Sequence, residues 1–267
     1  MIARKRFGQH FLEPAWVVKV IDAVAPRPGD SFFEIGPGRG ALTRPLAARA
    51  ARVTAVEIDR DLAAALRETA PPNLTIVEGD FLESGAAFDA SAERPIRVAG
   101  NLPYNVASPI LFKLIELYDA GVQLTDATLM LQREVADRLL ASPRTKDYGV
   151  LTILVRLSAD VERLLSLPPG AFRPMPKVQS SLVRLRFHPP APSPLDRAAL
   201  VTLVRAVFTQ RRKTLENAVL PHWPGTRASL ARALAAASVD SQRRPETLDV
   251  AEFVRLSDVL GRLPTVG

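Results

Sequence analysis

"FFEIGPGRGALT", residues 32–43, sets a short apolar run, three glycines at alternate positions and a helical start one after another. An apolar run that ends at glycine reads as a buried strand, and Leu42 with Thr43 begins a helical periodicity. A strand that turns through glycine into a helix is the first unit of a parallel sheet covered by helices. Strand-like runs are found at Ser31–Ile35, Arg52–Glu57, Leu74–Val77, Ile96–Ala99, Ala127–Leu131 and Ser181–Phe187. Between them, Leu42–Ala50, Asp61–Thr69, Pro109–Tyr118 and Arg133–Leu140 carry helical patterns of the length that parallel crossovers need. This alternation predicts an α/β fold. Leu151–Leu157 fits a buried helix and a strand equally.

His188-Pro189-Pro190-Ala191-Pro192-Ser193-Pro194 marks the clearest boundary, because its prolines remove donors and keep the chain extended. The expected division is residues 1–188 and residues 189–267, the second part reading helical throughout. That part holds 11 basic and 7 acidic residues, a net +4 of the total +7.

The chain has 267 residues, 47% of them hydrophobic and 24% charged, which is a globular composition. No apolar stretch approaches the ~20 residues of a membrane span, and the first residues are too interrupted for a secretory leader. A cytoplasmic, monomeric protein is expected. With no cysteine and three histidines, disulfide scaffolds, thiolate metal sites and cysteine nucleophiles are excluded; no metal is expected. The positive balance favours a polyanionic partner.

Gly36, Gly38 and Gly40 permit a sharp bend and close approach of a ligand. Gly36-x-Gly38-x-x-Ala41 also satisfies the dinucleotide fingerprint, so a nicotinamide dehydrogenase competes at this point. Glu57 ends the next strand about twenty residues on, where a carboxylate can accept both hydroxyls of an adenosine ribose. Asp80 follows the third strand, on the edge where open α/β sheets bind ligands, and can accept from an adenine amino group.

The fourth strand runs into Gly100-Asn101-Leu102-Pro103-Tyr104. Proline biases Leu102 towards an extended conformation and leaves its carbonyl available, Asn101 adds a second acceptor and Tyr104 a flat π surface. Two acceptors beside an aromatic face suit a planar base with an exocyclic amine. The lone pair of such an amine is delocalised into its ring. Acceptors on both N–H bonds favour a tetrahedral nitrogen and aim its lone pair at an electrophilic methyl.

Taken in order, "FGQHFL" (7–12), "EIGPGRGALT" (34–43), "VEID" (56–59), "GD" (79–80), "GNLPYN" (100–105), "FRPMPKVQSSLVRL" (172–185) and "FTQRRKTLENAV" (208–219) make the chain resemble the bacterial KsgA family. These are rRNA adenine-N6,N6-dimethyltransferases that modify two adjacent adenosines near the 3′ end of small-subunit rRNA. The resemblance implies a Rossmann-like seven-stranded methyltransferase domain, a small all-helical C-terminal domain for RNA recognition, and S-adenosylmethionine as donor. It implies cofactor contacts at His10, Leu12, Gly36, Glu57, Asp80 and Asn101. It implies target-base roles for Asn101, Leu102, Pro103 and Tyr104, with Phe172 facing Tyr104 across an adenosine flipped out of its stack. Arg39 stands where a leucine is common in the family.

Arg4, Lys5 and Arg6, together with Arg205, Arg211, Arg212 and Lys213 in one helical stretch, are the expected contacts to small-subunit rRNA in an assembling subunit. Three other functions compete. A large-subunit rRNA adenine methyltransferase of the macrolide-resistance type would share cofactor and fold. A nicotinamide dehydrogenase leaves "NLPY" unexplained, and Pro37 removes a donor that a pyrophosphate would use. A non-catalytic RNA-binding assembly factor would have no use for Glu57, Asp80 and Asn101.

Overall fold

The computed structural model describes residues 10–83 and 95–261. Seven strands form one sheet. They are β2 (Ser31–Ile35), β3 (Arg52–Glu57), β4 (Leu74–Glu78), β5 (Ile96–Asn101), β6 (Leu124–Gln132), β7 (Ala159–Leu167) and β9 (Ser180–Phe187), in the order β4-β3-β2-β5-β6-β9-β7. β4 through β6 in that order run parallel, and β9 is antiparallel to β6. The short β1 (Phe11–Leu12) and β8 (Phe172–Arg173) form a separate antiparallel pair, Leu12 opposite Phe172.

From β2 the chain steps outward to β3 and β4, then returns to β2's other side as β5 and continues to β6. The connections therefore diverge at the carboxyl ends of β2 and β5, leaving a crevice between them, the usual ligand position in such sheets. The crossover helices are α2 (Thr43–Ala47), α3 (Arg60–Arg67) and α4 (Ala107–Asp119), and α5 (Arg133–Leu140) follows β6 in the chain. Asp59 caps α3 by accepting from the Asp61 N–H. Helix α1 (Pro14–Val24) lays Val20, Ile21 and Val24 into the same apolar cluster as Phe32, Val53, Ala99, Met130 and Leu182.

At the opposite edge of the sheet from the crevice, Arg97 at the start of β5 pairs with Asp30 (2.7 Å) and Asp126 (2.9 Å). It also donates to the carbonyls of Val24 and Ala25 at the end of α1. One guanidinium thus pairs with both carboxylates, through Oδ2 of each, and caps the orphan carbonyls of a helix end.

Among the described residues, those up to Ala136 together with Asp160–Phe187 form one compact unit, and Asp137–Ala159 with those from His188 onward form a second. The second unit holds α6 (Val150–Arg156), α7 (Arg197–Phe208), α8 (Leu215–Val219), α9 (Arg227–Ala236) and α10 (Val250–Leu260). Asp249 and Glu252 form a reciprocal capping box on α10. Tyr148 donates to the Leu248 carbonyl at 2.8 Å, and its ring lies against Phe208, which in turn meets Phe253. These packed rings bind Asp137–Ala159 into the helical unit, although the sequence boundary at residue 188 places that stretch with the first domain.

Three local expectations change. Leu151–Leu157 resolves as a helix, with Leu151, Ile153, Leu154 and Val155 all buried. β7 has no counterpart among the six sequence-derived strands, because it is an edge strand whose Asp160, Glu162 and Arg163 interrupt any apolar run. Helix α7 stops at Phe208, so Arg211, Arg212 and Lys213 lie in the turn beyond it rather than on one helix with Arg205.

Candidate active site

The crevice at the ends of β2 and β5 is lined by His10, Leu12, Glu34, Gly36, Gly38, Glu57, Ile58, Asn101, Leu102, Pro103, Tyr104 and Met130, among others. Residues more than 90 apart in the chain meet there because parallel strands deliver all their carboxyl ends to one edge.

The glycine turn supplies one wall. Gly36, Gly38 and Gly40 have φ of 68°, 60° and 82°, a left-handed conformation that other residues adopt at a cost. The Gly38 N–H donates to Glu57 Oε2 at 2.9 Å, while Oε1 of the same carboxylate accepts from the Asp59 N–H at 2.9 Å. Glu57 is thereby locked in place at 4% exposure, with lone pairs remaining on both oxygens. Its pKa is raised by burial, against the opposing pull of these backbone donors. The Gly38 amide, which a dinucleotide pyrophosphate would need, is engaged by this internal carboxylate; this weighs against the nicotinamide alternative.

Glu34 is a site residue that the sequence reading passed over. It sits in β2 at 1% exposure, lines the crevice, and its Oε2 has no hydrogen-bond partner. Burial, with Glu57's charge adding to it, pushes its pKa up to about 8. A lone acidic residue in a five-residue, otherwise uncharged strand was the available signal, since a carboxylate is rarely buried without a purpose. Ile58 is a second omission, a large apolar side chain 47% exposed beside Glu57.

Asp80 lies on the same edge but not among the lining residues. Gly79 donates to the Glu57 carbonyl at 2.9 Å, which brings the β4 loop alongside, and Asp80 accepts from the Leu82 N–H at 2.9 Å.

The second wall comes from the turn after β5. Gly100 is forced by the close approach of β2, since a Cβ there would lie 2.7 Å from the Ile35 carbonyl oxygen. Asn101 Nδ2 donates to the His10 carbonyl at 2.7 Å. Leu102, 1% exposed, donates its N–H to the Met130 carbonyl. The Tyr104 hydroxyl is 3.0 Å from Ser180 Oγ, and burial raises its pKa despite that contact. Leu12 is 8% exposed and closes the floor of this wall.

Phe172 does not stand where it was expected. It is 1% exposed, inside the apolar cluster with Leu12, Val20 and Leu182, and its strand is paired to β1. Apolar burial takes the ring away from the crevice, and the ring that meets Tyr104 is that of His10, with centroids 5.4 Å apart and planes at 26°.

Of the expected RNA contacts, Arg4, Lys5 and Arg6 lie outside the described residues. Arg205 is exposed on α7. Arg211 is committed inside its own unit, pairing with Glu246 at 2.7 Å and donating to the Lys146 carbonyl at 2.9 Å. The Arg144 N–H donates to the Glu246 carbonyl at 2.8 Å. Three chain segments therefore converge on this ion pair and gather exposed Arg144, Lys146, Arg212, Lys213 and Arg244 around it. Arg144, Lys146 and Arg244 escaped notice because they are scattered in sequence.

A family model described as ribosomal RNA adenine dimethylase matches residues 2–258. The chain belongs to the ribosomal RNA adenine dimethylase family. It is 47% identical to ribosomal RNA small subunit methyltransferase A of Acinetobacter baylyi, over 96% of this chain and 92% of that one. To the protein of the same name from Methylibium petroleiphilum it is 45% identical, over 96% of each. Among solved structures, a dimethyladenosine transferase from Plasmodium falciparum superposes with a TM-score of 0.75 at 26% identity, covering 92% and 96% of the two chains. The 23S rRNA methyltransferase ErmE gives 0.66 at 30% identity, covering 94% and 99%. The seven-stranded sheet and helical C-terminal region are thus those of this dimethylase family.

Proposed function

We propose that this dimethylase transfers methyl groups from S-adenosylmethionine to the N6 amines of two adjacent adenosines near the 3′ end of small-subunit rRNA, acting in the cytoplasm as a monomer on an assembling subunit. The observation that carries this reading is the orientation of Asn101. Its amide nitrogen is spent on the His10 carbonyl, which leaves Oδ1 as the end available to an amine N–H.

S-adenosylmethionine supplies, when bound, a methyl group on a cationic sulfur. The donor set of the crevice fits that molecule. Glu57 can accept ribose hydroxyls while its backbone donors hold it still, and Ile58 offers an apolar face beside it. The unpartnered Glu34 Oε2 suits a cationic group, and Asp80 suits an adenine amine on the adjoining loop. On the target side, Asn101 Oδ1 and the Leu102 carbonyl accept both amine hydrogens. They localise the lone pair and orient it, which is positioning and preorganised electrostatics rather than base catalysis. Tyr104 provides the stacking surface, and buried Leu102, Met130 and Leu12 keep water from the reacting amine. The methylated nitrogen is acidic and releases its proton to solvent afterwards.

The names and identity of the curated relatives favour the small-subunit target over the large-subunit one. Mass spectrometry of rRNA, after incubating unmethylated small subunits with protein and donor, is expected to find N6,N6-dimethyladenosine there. Its appearance only in large-subunit rRNA would favour the resistance-type reading, and no modification in either would favour a non-catalytic assembly factor.

A further inference from the structure

His10 makes three contacts, two with residues of the target side of the crevice and one with the loop after β8. Its carbonyl accepts from Asn101 Nδ2 at 2.7 Å, its Nδ1 lies 2.7 Å from the Pro174 carbonyl, and its ring stacks on Tyr104. The Nδ1 contact makes the ring a donor to the loop after β8. A centroid separation of 5.4 Å is direct ring contact, so no base fits between the two rings as they stand.

The backbone and the ring of His10 are held by different means. The backbone leads directly into β1, which is paired to β8, and its carbonyl is tied to Asn101. The ring is held by one solvent-exposed hydrogen bond and one stack, and both can be given up by side-chain rotation alone. An imidazole is also a planar aromatic heterocycle, the class of group that stacks as a nucleobase does.

We propose that the His10 ring is a built-in occupant of the target-base slot: it covers the Tyr104 face without RNA and is exchanged for the extruded adenine, while its backbone carbonyl keeps the Asn101 amide oriented. This rests on the reading that Tyr104 receives the base. The arrangement keeps the aromatic platform out of water and sets a threshold for entry, because an incoming base must stack better than the imidazole. His10 is therefore a positioning residue through its backbone and a competitor through its side chain.

The test uses the full chain, saturating S-adenosylmethionine and unmethylated small subunits. His10→Ala removes the competing ring and keeps the carbonyl, so the KM for subunits is expected to fall about two- to ten-fold, the equivalent of the ~0.5–1.5 kcal/mol of an aromatic pair. A raised KM would overturn the proposal and make the ring a wall of the slot; an unchanged KM would overturn it by removing the ring from base entry. A second measurement does not depend on that variant folding. The chain has three histidines, so its imidazole Hε1 spectrum has three resonances. One of them is expected to be ring-current shifted in the free protein and to return to the unstacked position in Tyr104→Ala; three unshifted resonances in the native protein would overturn the stack itself. Tyr104→Ala also separates the two readings, because full turnover in that variant would remove Tyr104 from base binding whatever His10 does.

Discussion

Glu34 and Glu57 face one crevice from neighbouring strands, and burial disfavours the charge on each. For Glu34 the folded value of about 8 lies above the ordinary 4.5, so between those limits the folded protein holds a proton that the unfolded chain has lost. Stability from this group is therefore greatest at low pH and declines as pH rises through that window. The melting temperature of Glu34→Gln should accordingly fall less than that of the native protein between pH 5 and pH 8, as read by calorimetry. A cation in the crevice reverses the preference and favours the carboxylate. Binding of S-adenosylmethionine at pH 7 is thus expected to release protons, measured as a dependence of calorimetric binding enthalpy on buffer ionisation enthalpy; identical enthalpies in all buffers would remove Glu34 from the cofactor's surroundings. Asn101→Ala deletes the amide that donates to the His10 carbonyl and is proposed to accept from the target amine. Loss of one preorganised acceptor should lower kcat about 10²- to 10³-fold in single-turnover methylation, and a loss under ten-fold would contradict its assigned role. Glu57 could be picked out from its spacing after the glycine turn, and Asn101 from the Asn-Leu-Pro-Tyr turn that leaves the fourth strand. Glu34 is harder to pick out, because a lone acidic residue in an apolar strand hints at burial and only the packed sheet fixes its depth.

The crevice lies where the connections from β2 and β5 diverge, and there the two paired strands approach closely. Gly100 is what permits this, since the Ile35 carbonyl occupies the space of any side chain there. Gly100→Ala should cost about 1–3 kcal/mol by overpacking, seen as a lower urea midpoint with unchanged m-value, and it should shift Asn101 enough to reduce turnover as well. Most elements could be read locally. Ser31–Ile35, Arg52–Glu57 and Arg133–Leu140 coincide with observed elements because an apolar period and a bounding turn lie within each. β7 could not be read that way. An edge strand owes its conformation to the neighbour it joins, and its outward charges erase the apolar pattern. The end of α7 was likewise hidden, for Arg211–Lys213 are good helix formers, and Arg211 is drawn into the turn by distant Glu246 and the Lys146 carbonyl.

The expected RNA contacts among the described residues all fall in the helical unit. In the helical unit, Arg211 is an anchor rather than a free cation, and Arg211→Ala should lower stability by about 1 kcal/mol in urea unfolding, given its partial exposure. The surrounding exposed cations carry a different expectation. Reversing Arg144, Lys146, Arg212 and Lys213 to glutamate should reduce the slope of log affinity against log salt for small subunits by about one for each phosphate that is no longer neutralised, while leaving S-adenosylmethionine affinity intact. An unchanged slope would place the rRNA on another surface.

Local chemistry in the chain was enough to determine the alternation of strands and helices, the glycine bend, and the acidic and amide positions at strand ends, because periodicity, φ preference and strand-end placement act over a few residues. Tertiary structure alone decided that Phe172 is core, that His10 covers Tyr104, that Arg211 is committed to Glu246, and that Asp137–Ala159 joins the helical unit. Each of those outcomes depends on which distant groups compete for the same space, and that competition is settled only when the sheet and its helices pack.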